Sequence, residues 1–460
     1  MTSPSIERSC YWLANRPPRP LVPLEGTSDA DVAVVGAGLT GLWTALALKE
    51  LDPGSEVVML EQEVAAYGAS GRNAGILSET VDHSHSLAIQ HFGEAEARRL
   101  ARLGESNIEE MTAYLAGHGI RCDYEPSGRL IAALTARQVE EARRSVATAE
   151  RLEIAGHRYL SRDEIRRQLD SPLYLGGVEV RHGGILDPVK LVDGLRDRAE
   201  RLGVRIHERC RVTSLRPSGA AVDVGTRAGV VRARRAVLTT SAYTHQILPP
   251  VARRFIPLYD YILVSDPLTP AQRNVLGWRN RQGVTDGRSF FNYYRLTNDD
   301  RILWGTSEAA YYRGNRVDRG CDHSPAHYDA LRSSFRRHFP ALGPLEFPYA
   351  WGGPICSTTR LTPFFGRALD GRVIFGLGFT GHGLGTTRIA GRVLAHLALE
   401  RPSDLLDLAM VRRKPVPFPP EPLRSWAVAC VTRALRRVDE GRPPSALLRL
   451  LDRMGIGFSS

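Results

Sequence analysis

At 460 residues, 43% of them hydrophobic and 24% charged, the chain can bury the cores of two domains, or of one domain with a large insertion. The formal charge of +11 is almost all arginine, the lysines being Lys49, Lys190 and Lys414; no run of arginines interleaved with aromatics forms a nucleic-acid footprint, so no nucleic-acid partner is expected. The six scattered cysteines lack a CxxC pair, which argues against a disulfide framework or a cysteine zinc site and fits a cytoplasmic location. Met1 to Pro20 lacks the apolar core of a secretory signal, and no uncharged apolar run of about 18 residues suggests a membrane span.

Residues 1–30 read as an extended, proline-rich arm, stiffest at Pro17–Pro20, with the first strand starting at Asp31. Tyr11 and Trp12 either anchor that arm in an apolar groove or belong to a flexible tail. Val32–Val35 reads as a buried parallel strand and runs into Gly36, Gly38 and Gly41, after which a helix extends to Leu48. In this pattern the first glycine makes a tight turn, the second lets the backbone approach a pyrophosphate, and the third lets helix and strand pack closely. The helix N-terminus offers free N–H groups to phosphates. A second strand, Val57–Leu60, ends in Glu61, about 20 residues on, where a carboxylate accepts hydrogen bonds from a ribose. The turn alone fits either NAD or FAD. Small and polar residues follow between Ala65 and Gly75, around Ser70, Arg72 and Asn73, as in a loop folded over a flat ligand.

Residues 86–118 and 136–169 show helical periodicity with charged outer faces and read as scaffold. His83 and His85 are two apart and share a side if on a strand, but no further ligand cluster is visible and no metal is expected. Asp187 and Pro188 suit the N-cap and first turn of a helix to Leu202. A strand meander is expected at Val204–Ile206, Val212–Leu215, Ala221–Val224 and Val230–Arg232, followed by a separate parallel strand at Ala236–Thr239. From Phe255 to Gly305 the pattern becomes alternating and aromatic-rich, at Tyr259–Val264, Phe290–Arg295 and Arg301–Gly305, which predicts an antiparallel sheet. A helix is expected over 325–338, and a last parallel strand over Arg372–Phe375. A second glycine-rich turn, Gly376 to Gly385, then opens a helix to Leu399 whose N-terminus suits a developing negative charge. Residues 401–460 are basic, with short amphipathic helices around Trp426–Val438 and Ala446–Met454, read as packing elements or as a partner or membrane-surface contact.

These segments together resemble the FAD-dependent D-amino acid oxidase superfamily, which includes glycine and sarcosine oxidases, and most of all its γ-glutamylputrescine oxidase branch. The resemblance rests on Asp31–Gly41 with Glu61, the Gly68–Asn73 loop, Tyr293–Thr297, and Gly378–Gly383 with Ala390, Gly391 and Arg392; it covers about residues 8–400. It implies an α/β fold, a glutathione-reductase-like FAD-binding Rossmann domain with an antiparallel-sheet substrate domain. The FAD domain would comprise 31–85, 170–245 and 352–400, and the substrate domain 86–169 and 246–351, with the arm before them and the extension after.

The resemblance further implies FAD held by Gly36, Gly38, Leu39, Thr40 and Gly41; by Glu61 and Gln62; by Ala69, Ser70, Gly71, Arg72, Asn73, Ala74 and Gly75; by Val212 and Thr240; and by Gly378, Thr380, Gly381, His382 and Gly383. His382, Trp304 and Tyr259 are the expected catalytic groups. Tyr261, Tyr293, Arg295 and Trp351 are the expected substrate contacts, with Tyr294 beside them. The implied reaction is oxidation of an amine or amino-acid C–N bond, with oxygen or another acceptor taking the electrons. Sarcosine-oxidase-like members carry a lysine over the flavin that speeds reaction with oxygen, and the matching strand Ile302–Gly305 has none, which keeps a dehydrogenase open. A flavin-binding subunit without turnover is the other alternative. Cys356 lies where some members attach flavin covalently, one residue out of step, so the flavin is expected to be non-covalent.

Overall fold

The computed structural model describes residues 5–81 and 83–456. In chain order, β1 (Gly26–Val35) leads through the glycine turn to α1 (Leu39–Leu51) and β2 (Val57–Leu60). Helices His85–Phe92 and Glu94–Gly117 precede β3 (Arg129–Ala133), and helix Ala136–Arg151 precedes β4 (His157–Ser161) and β5 (Gly176–Val180). Then come α2 (Pro188–Arg201), β6 (Arg205–His207), β7 (Val212–Ser218), β8 (Ala221–Thr226) and β9 (Gly229–Leu238). They are followed by β10 (Ile256–Pro267), β11 (Gly283–Asp286), β12 (Asn292–Leu296), β13 (Arg301–Ala310), α3 (Pro325–His338) and β14 (Tyr349–Ser357). The chain closes with β15 (Phe364–Ala368), β16 (Val373–Leu377), α4 (Gly383–Leu399), α5 (Leu423–Asp439) and α6 (Ala446–Arg453).

The first sheet has the order β15-β16-β9-β1-β2-β6, with the β7–β8 hairpin attached to β9. Its centre is parallel and buried on both faces, which is why Val32–Val35 is apolar without alternation. Val32 and Val34 face the helices, and Ala33 and Val35 face a second core against Val222, Ala236 and Phe375. Helices α1 and α4, one from each glycine-rich turn, cross on the same face. They meet at Gly391, where a Cβ would lie 2.6 Å from the carbonyl carbon of Trp43, so a larger residue would drive the helices apart. The two late expected strands, Val230–Arg232 and Ala236–Thr239, are one continuous strand, β9. Val204–Ile206 leaves the expected meander to pair in parallel with β2 as β6.

The arm is not extended throughout. Two four-residue helices, Ile6–Ser9 and Tyr11–Ala14, form where Trp12 and Leu13 are buried, and β1 starts at Gly26, paired with Gly229. Trp12 anchors this segment, its Nε1 donating to the carbonyl oxygen of Asn73 at 2.9 Å. The stretch 136–169 is not wholly helical either: β4 interrupts it, because Gly156 turns the chain back and the next residues pair antiparallel with β5. Neither β3 nor β5 was expected. No helix among the described residues is long and apolar enough to cross a membrane.

The second sheet has the order β14-β10-β13-β12-β11-β3-β5-β4 and is antiparallel except between β11 and β3. The α/β architecture with a second, mainly antiparallel sheet is the one expected. Strand alternation decides what this sheet presents. On β10, Leu258, Asp260 and Ile262 face the large cavity between the sheets, and Tyr259 and Tyr261 face away, into the core under α3.

This parity corrects four assignments. Tyr259 donates from its hydroxyl to Asp318 O at 3.1 Å, and Tyr261 to Cys321 O at 2.9 Å. Trp304 on β13 stacks on Tyr294 with centroids 4.4 Å apart and donates to Ser334 Oγ. All four rings are core, sealed from the cavity. Arg295 shares the inner side with Tyr293, but it is buried and its guanidinium donates to the carbonyl oxygens of Gly75, Leu186 and Leu296. It ties the second sheet to the backbone at Gly75 and Leu186 instead of awaiting a carboxylate. Trp304→Ala is therefore expected to remove about 3–5 kcal/mol of stability by leaving a cavity under α3, measured as a fall in the denaturant midpoint.

Candidate active site

The chain's glycine-rich turns and the inner face of the second sheet enclose one elongated cavity of about 1110 Å³. At one end Gly36 takes a φ of +104°, a value that favours glycine, and the chain turns from β1 into α1. Gly41 is not in the wall; a Cβ there would overlap the carbonyl oxygen of Gly36, so this glycine sets how closely α1 approaches the turn. Gly38, Leu39 and Thr40 do line the wall. Ser70 Oγ accepts from Leu39 N at 2.9 Å, so the second loop is latched onto the N-terminus of α1.

Glu61 ends β2 beside this turn. Its carboxylate accepts from Ala37 N at 2.8 Å and Glu63 N at 3.0 Å, and burial pushes its pKa up to about 7. Gln62, Ala69, Arg72, Asn73, Ala74 and Gly75 continue the wall, and Val212 and Thr240 close its other side. Gly71 is absent from the wall because it packs against Ala66. Arg72 is buried, with its Nη1 on Asp322 at 2.8 Å and on Gly352 O at 3.0 Å and its Nε on Tyr67 O at 2.6 Å. Its Nη2 has no partner.

At the middle of the cavity the second turn presents Thr380, Gly381, His382 and Gly383, with the N-terminus of the 17-residue helix α4 directly behind. Gly378 does not line the wall; it turns the chain at φ +89° against Thr358. The imidazole of His382 lies 4.3 Å from that of His83, centroid to centroid, and the Nδ1 of each lacks a partner. Burial holds both rings neutral, lowering His83 to about 4 and His382 well below the usual range. His83 and His85 therefore do not act together. Ser84 caps a helix that begins at His85, and His85 turns instead toward His157 and Glu79, with which it forms a three-residue group. The sequence could not join these remote positions. Arg129 already donates to both oxygens of Glu79, at 2.7 and 2.9 Å. Cys356 lines the cavity, and burial raises its thiol pKa, which disfavours the thiolate.

The remaining wall belongs to the second sheet. Tyr293 and Trp351, the expected substrate contacts, both line it. Trp351 donates from Nε1 to Arg72 O at 2.9 Å. The residue that sequence reasoning missed is Asp260. Its Oδ1 accepts from Tyr261 N and its Oδ2 from the Tyr293 hydroxyl, both at 2.7 Å, and burial raises its pKa to about 7. Among the described residues no cation is paired with it. The signal was present in Tyr259-Asp260-Tyr261, where the acid sits between two aromatics of opposite parity.

The shape and chemistry of this wall fit a dinucleotide. A glycine turn with a helix N-terminus and a carboxyl group stands at one end, and a second helix N-terminus at the middle. A Cβ on Gly38 would press to 2.7 Å from Ser70 Oγ, so the bare backbone at that point keeps the cradle open. A planar group then has room between the α4 turn and the inner face of β10 and β14.

Comparison with known proteins agrees. A family model described as FAD dependent oxidoreductase matches residues 31–397. The chain is 30% identical over 402 residues to gamma-glutamylputrescine oxidoreductase of Escherichia coli, covering 87% of this chain and 90% of that protein. It is 28% identical over 398 residues to a probable oxidoreductase, OrdL, of Haemophilus influenzae, covering 85% and 88%. Among solved structures, glycine oxidase from Geobacillus kaustophilus has the same fold, with a TM-score of 0.68 at 18% identity over 84% of this chain and 99% of that one. The chain thus belongs to the DAO family of FAD-dependent oxidoreductases.

Proposed function

We propose that the protein oxidises the C–N single bond of an amine, giving an imine that water hydrolyses to a carbonyl compound and an amine or ammonia. The observation that carries this reading is Asp260, a half-buried carboxyl group in the cavity wall beside Tyr293, with no paired cation among the described residues. A protonated amine is the ligand that compensates such a group, because an unpaired carboxylate away from water is costly and a cation relieves it. The relatives named for gamma-glutamylputrescine and for glycine support the same chemistry.

FAD, when bound, supplies the oxidant that takes the hydrogen and electron pair from the C–N unit. Gly36–Thr40 and the N-terminus of α1 would hold its pyrophosphate, and Glu61 its ribose. Thr380–Gly383 would lie at its electron-rich edge, where the N-terminus of α4 favours negative charge. Arg72 keeps one N–H pair free on the same wall. The substrate ammonium sits against Asp260, and the carboxylate takes its proton, which frees the nitrogen lone pair for imine formation. Tyr293 holds Oδ2 and so fixes which way the carboxyl group points. His83 and His382 are neutral and offer hydrogen bonds without adding charge that would repel the substrate. The apolar walls exclude water, which strengthens the pairing at Asp260.

One observation favours a dehydrogenase over an oxidase. Among the described residues, neither Lys49, Lys190 nor Lys414 lines the cavity, so no lysine stands ready to promote reaction with oxygen.

Gly41→Ala should yield a folded protein purified with little flavin, read from its visible absorbance against its circular dichroism. Flavin reduction by an amine under anaerobic conditions should speed up as pH rises through about 7, as the Asp260 carboxylate forms. Asp260→Asn should remove that step and slow reduction by about 10²-fold or more; a variant with the parent pH profile contradicts the assigned role, and a flavin bleached by no amine contradicts the reaction. Stopped-flow mixing of the reduced protein with air should show slow reoxidation and faster reoxidation by an artificial acceptor.

A further inference from the structure

The family match ends at residue 397, but the wall of the cavity does not. Helix α5 runs across the cavity mouth and turns Ala427, Val428 and Val431 inward, and Leu451 and Ile456 from the last segment join them. Phe290 and Phe291, on the lip before β12, form the facing wall. The opposite side of α5 carries Trp426, 69% exposed, and the exposed Arg433 and Arg437. Arg424 and Thr432 also reach the cavity from α5, so the helix turns a mainly apolar side toward the cavity and a basic side toward solvent.

It is fastened at both ends. At its start Arg424 donates to Asn315 Oδ1 at 2.8 Å, and Glu421 accepts from the Tyr311 hydroxyl at 2.6 Å. At its end the Asp439 carboxylate accepts from Ser289 N at 2.7 Å and from Phe290 N at 2.9 Å, so the helix and the aromatic lip are held in one geometry. Arg436 adds an ion pair to Glu308 at 2.6 Å. Phe290 and Val431 pack on the small core of Leu435, Val438 and Leu448. These contacts fix a slot between α5 and the Phe290–Phe291 lip, and Phe291 packs edge-on against Tyr293, centroids 6.3 Å apart, so the slot adjoins the group that holds Asp260.

We propose that α5 and the segment after it form the distal part of the substrate site and bind an apolar tail, so that the preferred substrates are amines bearing an alkyl or aryl chain; the identity of the head group rests on the amine reading of Asp260. A charged end held at Asp260 and a chain lying between Val428, Val431 and Phe291 would use the polar and apolar parts of one cavity together. A compact amino acid leaves this slot unfilled.

The test uses the full-length protein with its flavin and two homologous series, n-alkylamines and n-alkanols from ethyl to octyl. Binding is followed anaerobically by perturbation of the flavin spectrum. The dissociation constant should fall about fourfold per methylene, equivalent to about 0.8 kcal/mol per buried CH₂, until the slot is full. The double variant V428T/V431T keeps the side-chain shape and should flatten this dependence; V428D/V431D should abolish it, with flavin content and thermal midpoint confirming the fold of each. A flat series in the parent protein, or an unchanged slope in both variants, overturns the subsite. A chain-length slope with amines that bind but are not oxidised supports the subsite and removes the amine reading. Amines that are oxidised without any slope do the reverse.

Discussion

The two sheets are joined over the cavity by a buried ion pair. Arg72 ends a four-residue helix in the loop after β2, and its guanidinium reaches Asp322, before α3, and the carbonyl oxygen of Gly352, in β14. Both charges are withdrawn from water, so the pair adds little stability over an apolar replacement of the same shape. Its effect is geometric. Removing either partner strands the other in the interior, and that asymmetry holds the Ala65–Gly75 loop at one distance from the second sheet. Trp351 and Trp12 tighten the same loop by donating to the carbonyl oxygens of Arg72 and Asn73. The cavity exists because this loop is pinned from both sides while the glycines on its rim leave space.

Strand parity is the second constraint. β10, β12 and β13 each carry large residues on both faces, and aromatic content alone does not say which face meets the ligand. The tyrosines at 259, 261 and 294 and Trp304 belong to one core under α3: Trp304 stacks on Tyr294 and donates to Ser334 Oγ, Tyr259 and Tyr261 donate to backbone oxygens, and the Tyr294 hydroxyl pairs with that of Tyr174. That core leaves the other face for smaller and polar groups, among them Asp260. A half-buried carboxyl group on a strand is tolerated there because Tyr293 and a backbone N–H satisfy its oxygens, and desolvation raises its pKa to about 7.

The family core carries both glycine-rich turns, and the segment beyond it lines the same cavity. Helix α5 is long enough to bridge from Asn315 to Phe290, and its anchors are side chains placed at its two ends. The strap before it is tied down as well, through Arg360 donating to Arg413 O and Met410 O and Thr359 donating to Val416 O. An addition of this kind leaves the α/β fold unchanged and adds mainly apolar side chains to the cavity wall.

By itself the sequence determined the features that depend on local chemistry: the parallel strand, glycine turn and helix at Val32–Leu48, the acid at Glu61, the N-cap at Asp187, the second glycine turn before α4, and the amphipathic helices of the extension. Each is set by neighbours within a few residues, where backbone sterics and periodicity decide. The sequence also carried the family, because both turns and the Gly68–Asn73 loop occur together in order. Only the tertiary structure decided which residues meet in the cavity. It turned Tyr259, Tyr261 and Trp304 into core, made Arg295 a tie to the backbone of Gly75 and Leu186, brought His83 to His382, exposed Asp260 to the cavity, and put Val428 and Val431 in its wall. Those outcomes depend on strand register and on pairing between segments hundreds of residues apart, and a one-residue change of parity reverses them.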